Sequence, residues 1–219
     1  MFEQALGLDD SHINYGLAER PIHHNSADAL ARLRAAAQHA GFELRLASGF
    51  RSFSQQLTIW NAKARGERRV LDGNEQPIDI VPLADEEKMF AILRWSALPG
   101  TSRHHFGTDW DVYAENLMPP NYRLQLTQEE YIHGVQKEFN RWLTEFIRTD
   151  SEFERPFEHG TAGVAAEPWH ISFVPQARLL EPWVKKDSLL NALNQVDIEL
   201  KEQVQQHLPA ILLNYVRPV

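Results

Sequence analysis

Between residues 27 and 40, Leu30, Leu33, Ala36 and Ala37 recur at helical spacing. The pattern predicts an amphipathic helix, capped by Asn25 or Ser26 and stopped by Gly41. From Phe42 to Ala47 the period falls to two, which predicts a strand that delivers Ser48-Gly49-Phe50-Arg51 to its end. Helical spacing returns over 52–66, with Ser52 in the capping position and Gln56, Ile59, Trp60 and Lys63 following. Residues 66–79 hold Gly66, Asp72-Gly73-Asn74 and Pro77 and read as a loop. Residues 84–95 read as a helix carrying Met89, Phe90, Ile92 and Leu93, and Pro99-Gly100 breaks the chain. After Gly107, residues 108–113 alternate like a strand and place Asp109, Asp111 and Tyr113 on one face. A loop with Pro119-Pro120 follows over 115–127. Thr127-Gln128-Glu129-Glu130 is a capping box, opening a helix that continues over 135–148 with Val135, Phe139, Trp142, Leu143 and Phe146 on one stripe. Residues 149–166 combine a polar turn with a small-residue segment from Gly160 to Ala166. Trp169 to Val174 reads as a strand, and 176–208 as mostly helical, interrupted by Pro182, with a solvated face around Glu199 to Gln206. The first 24 residues read as polar and irregular, and His23-His24 as part of an exposed loop, because adjacent side chains rarely chelate an ion unaided.

Composition narrows the classes. The 219 residues, 43% of them hydrophobic, suit one domain, 1–219, with a sizeable core. A net charge of −8 excludes the basic footprint of a nucleic-acid binder. There is no cysteine, so disulfides and thiolate-held zinc are excluded, and a zinc site has to be built from His, Asp and Glu. Met1 to Asp10 shows no basic, then apolar, leader pattern, and no apolar run approaches membrane-spanning length. With Met1 as the native start the expected location is cytoplasmic; had a leader been removed, it would be periplasmic.

The candidate chemistry lies in three stretches. His104 and Asp111 are seven positions apart with Gly107 between them to turn the chain. With His170 they supply three ligands, the number a catalytic zinc takes while keeping one open position. Glu167, three residues before His170, can reach a water at that position and move its proton, while Pro168 stiffens the segment between them. Trp169 either walls such a site or fills core. Arg51 follows a glycine at a strand end; its planar fork suits a carboxylate, and the alternative is a structural ion pair. Ser102 and Gln56 either bond substrate or cap helices. His105 reads as structural, His159 as a loop residue, and His133 and His207 as exposed on helices.

Taken in order as SGFRS, SxHxxGxxxD and ExWH, these motifs resemble the VanY-type D-alanyl-D-alanine carboxypeptidases, zinc peptidases of family M15, subfamily M15B. The resemblance covers about residues 25–175 and leaves a helical C-terminal extension, 176–219, outside it. It implies an α+β fold shared with lysostaphin-type peptidases and the Hedgehog signalling domain: a central antiparallel sheet with flanking helices and the metal in a cleft over the sheet. It implies one Zn2+ per chain on His104, Asp111 and His170, Glu167 as base, Arg51 on substrate and transition state, and Gln56 and Ser102 at the substrate. The family's usual alanine is Asp109 here, which can orient a ligand from behind, pair with Arg51 or compete for the metal. The implied reaction is release of a C-terminal D-alanine from peptidoglycan stem peptides or muropeptides, with D,D or L,D specificity. Absence of a leader favours L,D trimming in cell-wall recycling. A peptidoglycan endopeptidase or a non-catalytic zinc-containing binding module are the alternatives, and Glu167 argues against the module, which needs no base. A monomer is expected, with no nucleic acid and no membrane span.

Overall fold

The fold is known from a computed structural model, which describes residues 1–160 and 163–216. Thr161 and Ala162, in the small-residue segment, lie outside the described residues. A short helix α1 (Phe2–Ala5) and a ribbon of β1 (Ile13–Asn14) and β2 (Ile22–His23) come first. Helix α2 (Ala27–His39) feeds β3 (Leu44–Ser48), and α3 (Phe53–Ala64) follows. A small hairpin of β4 (Val70–Leu71) and β5 (Pro77–Ile78) precedes α4 (Asp85–Leu93) and β6 (Asp109–Ala114). Then come α5 (Gln128–Ile132), α6 (Lys137–Thr149), β7 (Phe153–Glu154) and β8 (His170–Phe173). Helices α7 (Val174–Leu180), α8 (Lys186–Asn194) and α9 (Lys201–Asn214) complete the described chain. None of these helices is long and apolar enough to cross a membrane.

The central sheet has the order β3-β6-β8-β7 and every neighbouring pair is antiparallel, the α+β arrangement expected. Alternation divides its two faces. Trp110, Val112, Ala114, Ile171 and Phe173 point into a core with Leu30 and Leu33 of α2 and Phe139 and Leu143 of α6. Asp109, Asp111, His170 and Ser172 therefore occupy the opposite face. A second core joins Trp60 of α3 and Met89, Ile92 and Leu93 of α4 to Leu189 of α8 and Val204, Leu208 and Ile211 of α9. The C-terminal helices thus pack on the elements that flank the polar face, and the Trp60 Nε1–H donates to the Glu199 carbonyl at 2.9 Å.

Several expectations need correction. The first 24 residues are not wholly irregular: they form α1 and the β1–β2 ribbon. His23 is buried, not exposed, because its backbone N–H donates to the Gly107 carbonyl at 2.8 Å and pins the ribbon under the central motif. The loop over 66–79 contains the β4–β5 hairpin. The helix expected through 127–148 is two, α5 and α6, although its Thr127–Glu130 capping box forms as read. The break lets the Gln136 amide cap the end of β6, accepting from Ala114 N–H at 2.8 Å and donating to Ala114 O at 3.1 Å. His207 is half-buried against Phe90, with ring centres 5.4 Å apart, whereas His133 is exposed.

Candidate metal centre and active-site cleft

Sheet register builds the site. Asp111 pairs directly with His170 across β6 and β8, and Asp109 with Ser172, so four polar groups meet on one face. On the other side of β6, Ser48 of β3 also pairs with Asp111, after a bulge that shifts the register between Leu46 and Ser48. That extra residue turns Ser48 out of the core alternation and toward the site. His104 comes from a 3-10 turn, Arg103–Phe106. The turn closes at Gly107 with φ of 69°, and a Cβ there would lie 2.4 Å from Ile13 Cδ1 and 2.8 Å from the His23 nitrogen. Only glycine fits both the conformation and the space. His104, Asp111 and His170 are all buried, with ligand atoms within 4.8 Å of one another.

The donor set fits a zinc ion. The His104 Nδ1–H is directed at the Gly49 carbonyl at 2.9 Å and the Asp109 carbonyl at 3.2 Å, which leaves Nε2 facing Asp111 Oδ2 at 3.4 Å. His170 uses its nitrogens the other way round: Nε2 lies 3.2 Å from Asp109 Oδ1, and Nδ1 faces Asp111 Oδ1 at 3.1 Å. Each imidazole is thus gripped at one nitrogen and presents the other to a common point, as metal-ligating histidines do. Three nitrogen and oxygen ligands leave the open position that catalysis requires.

The electrostatics follow from burial and pairing. Burial pushes the His104 imidazole down and keeps it neutral, against the pull of Asp111. Burial also opposes charge on His170, yet the hydrogen bonds and charges of Asp109 and Asp111 outweigh it and raise the ring to about 10. Glu167 places Oε2 3.6 Å from His170 Nδ1. Its carboxyl is lifted to about 7, chiefly by burial and also by Asp111, with His170, Arg51 and Lys63 opposing. That value lies in the range suited to a general base.

Arg51 reaches the cleft from the loop after β3. Its Nη1 donates to Gln56 Oε1 at 2.9 Å and its Nη2 to Ser48 Oγ at 3.3 Å. His105 holds the Arg51 backbone: its Nδ1–H donates to the Arg51 carbonyl at 2.6 Å while Nε2 accepts from Gly100 N–H at 3.0 Å. Burial takes this imidazole down to about 3, so it is a neutral strut, the structural role expected of it. Gln56, expected at the substrate, stands behind Arg51 instead: it is completely buried, and its Nε2 donates to the Ala97 carbonyl at 2.7 Å. Ser102 and Trp169 line the cleft, and Trp169 also packs on Tyr131 with ring centres 5.5 Å apart. His159 is an exposed loop residue.

Asp109 pairs with Arg103 and not with Arg51. Its Oδ1 accepts from Arg103 Nε at 2.6 Å as well as from His170, and its Oδ2 from Thr108 Oγ1 at 2.8 Å and Ser172 Oγ at 3.2 Å. Arg103 continues to Glu181 at the end of α7. Arg103 and Glu181 lie 78 positions apart, and no motif of the sequence joins them. Lys63, Arg68 and Arg69 belong to no motif either, yet all three line the same cleft of about 440 Å³ as Arg51, His104, Asp111, Glu167 and His170. An arginine inside an otherwise buried motif was the available signal for Arg103; the other three carried none.

Known proteins support this geometry. Two uncharacterized proteins of Haemophilus influenzae are related: one is 45% identical over 73 residues, covering 33% of this chain and 50% of its own, and the other 31% over 122 residues, covering 54% and 92%. The chain therefore spans about half the length of the first. Among solved structures, VanYB in complex with D-alanine-D-alanine superposes with a TM-score of 0.51 at 23% identity, covering 78% of this chain and 83% of that one. A mutant of the D,D-pentapeptidase VanY from a VanB-type resistance cassette, in complex with Zn(II), gives 0.50 at 25% identity, covering 76% and 85%. The LdcB LD-carboxypeptidase gives 0.50 at 19% identity, covering 84% and 69%, and so shares the fold. Residues 19–176, from the first ribbon into α7 and including every ligand of the buried metal centre, match the family described as VanY, D-alanyl-D-alanine carboxypeptidase, and the chain belongs to that family of zinc peptidases.

Proposed function

We propose that this protein is a zinc-dependent carboxypeptidase that releases a C-terminal D-alanine from peptidoglycan stem peptides. The observation that carries the reading is the meeting of a three-ligand metal centre, a buried base and an arginine fork in one cleft. A zinc ion held by His104, Asp111 and His170 would polarise the scissile carbonyl and acidify a water. Glu167, poised near neutrality, takes the proton from the attacking water and delivers it to the departing amine, so that hydroxyl adds to the acyl carbon and the C–N bond breaks. Arg51, fixed by Gln56, Ser48 and His105, presents guanidinium N–H groups to the oxygen that gains charge or to the terminal carboxylate. Trp169 and Phe157 help wall the cleft, and partial exclusion of water strengthens these charge interactions.

Both D,D and L,D specificities occur on this fold, as the names of VanYB's ligand and of LdcB state. The test is release of D-alanine from a tetrapeptide and a pentapeptide, followed by chromatography beside zinc analysis. Release from either end supports the reading, and the preferred peptide assigns the specificity. Glu167→Gln should keep its zinc and lose about 10²–10⁴-fold in kcat. Full activity of that variant, or cleavage confined to internal cross-links, would overturn the mechanism.

A further inference from the structure

Three cations in the cleft have no task in the reaction just described. Lys63 lies on α3 two turns beyond Gln56, and Arg68 and Arg69 lie in the turn between α3 and β4. All three line the cleft with Arg51 and Glu167. Among the described residues, none of the three has a carboxylate within 4.0 Å or donates a side-chain hydrogen bond. Their neighbours behave otherwise. Arg65 pairs with Glu67 at 2.8 Å and Glu199 at 3.3 Å, and Arg103 is engaged by Asp109, Glu181 and Ser172. Lys63 is half-buried, and Arg68 and Arg69 reach the cleft from exposed positions. In a chain of net charge −8, acidic partners are abundant, so three unpaired cations lining one cleft leave charge open to a ligand.

The surplus is felt locally. Burial first, then Arg68 and Arg51, bring the Lys63 ammonium down to about 8, with Glu167 opposing. An anion bound beside it would relieve this crowding. The terminal carboxylate of a peptide does not use it up: with Arg51 on that carboxylate all three cations are spare, and with Arg51 on the charged oxygen one guanidinium fork of the three satisfies both carboxylate oxygens and leaves two cations over. Lys63 lies seven positions along α3 from Gln56, which holds Arg51, or about 10 Å along the helix axis. That is the reach of about three extended residues. The extra charge therefore stands within a stem peptide's length of the reaction centre.

We propose that Lys63, Arg68 and Arg69 form a subsite for a second carboxylate of the substrate, so that the preferred stem peptide carries a free acid upstream of the scissile bond in addition to its C-terminus. This inference rests on the carboxypeptidase reading and specifies its substrate class: stems with a diamino diacid as third residue, or an unamidated D-glutamyl carboxylate as second, over stems with lysine or with those acids amidated. The site selects by charge along the peptide, not only by its terminal D-alanine.

The experiment compares kcat/KM for matched tetrapeptides: the diacid form, its amide at the third residue, its amide at the second, and the lysine form. Loss of one charge-assisted contact predicts a drop of about 10- to 100-fold for at least one of the amides, expressed mainly in KM. The advantage of the diacid should shrink as ionic strength rises. A Lys63→Met, Arg68→Gln, Arg69→Gln triple variant should bring acid and amide peptides to within about twofold of each other, a ratio that does not depend on how much of the variant is folded. Equal cleavage of all four peptides by the wild type overturns the subsite and leaves the carboxypeptidase reading standing. If none of these is cleaved, nor the matching pentapeptides ending in D-alanyl-D-alanine, the carboxypeptidase reading fails by itself. Calorimetric binding of the same acid and amide pair to zinc-loaded Glu167→Gln protein then decides the subsite, and equal affinities reject it.

Discussion

Asp109 is completely buried and touches the back of a metal ligand, at the position where the family pattern carries alanine. Burial alone would raise its carboxyl, but Arg103, and then His170, hold it down to about 2, so it faces the His170 ring as a carboxylate. A carboxylate behind a ligating imidazole fixes the ring's tautomer and raises its basicity, and loss of such a partner costs about 10–100-fold in metal affinity. Asp109→Asn should therefore weaken zinc binding by that factor, measured by competition with a chromogenic chelator, while Asp111 and His104 still hold the ion. An unchanged affinity would make Asp109 only the counter-ion of Arg103. The three ligands were legible in the sequence because their chemistry and motif spacing are distinctive. The partners of Asp109 were not: Ser172 reaches it through strand pairing, and Arg103, which bonds it, is held in turn by Glu181 through the packing of α7, which no local pattern encodes.

At the scale of elements, the polar face of the sheet depends on what flanks it. Helix α3 carries Gln56 behind Arg51 and Lys63 in the cleft, and α3 and α4 are backed by α8 and α9 in one apolar core. The C-terminal helices therefore bear on the site although no catalytic motif lies in them. Leu208 of α9 is fully buried in that core. Leu208→Ala should lower the free energy of unfolding by about 2–5 kcal/mol, read from urea denaturation. A loss below about 1 kcal/mol would show that α9 contributes little to holding α4 in place. The broken helix at Gly134 belongs to this scale as well. Periodicity predicted one long helix across it, and the demand of Ala114 for hydrogen-bond partners at the end of β6 was invisible along the chain.

At the scale of the whole molecule, buried neutral histidines make stability depend on pH. His23, 6% exposed, is pulled to about 4 from the ordinary 6.5, first by burial and then by His12 and His24. Burial lowers His12 too. Between those values the unfolded chain binds a proton that the folded chain refuses. The stabilisation from neutral His23 is complete above pH 6.5 and is lost as pH falls toward 4, by up to about 3 kcal/mol. Thermal midpoints should decline through that interval, and less steeply in His23→Asn, whose amide oxygen can replace the Nδ1 that accepts from Asn25 N–H. Equal slopes would exclude His23 as a contributor.

The sequence by itself determined most helices and strands of the sheet, because side-chain periodicity is a local property, and its three motifs, through the resemblance they carry, gave the α+β class and singled out His104, Asp111, Glu167 and His170. Arg51 was singled out as well, with a structural ion pair as the alternative, and it is the tertiary structure that turns it into the cleft. Only the tertiary structure decided that Asp109 pairs with Arg103, that Gln56 serves Arg51, that His23 is buried, and that Lys63, Arg68 and Arg69 line the cleft with no carboxylate partner among the described residues. Each of these depends on which groups meet across long stretches of chain. Strand register, the bulge before Ser48 and the packing of the C-terminal helices set those meetings, and a reading of neighbours along the chain contains none of them.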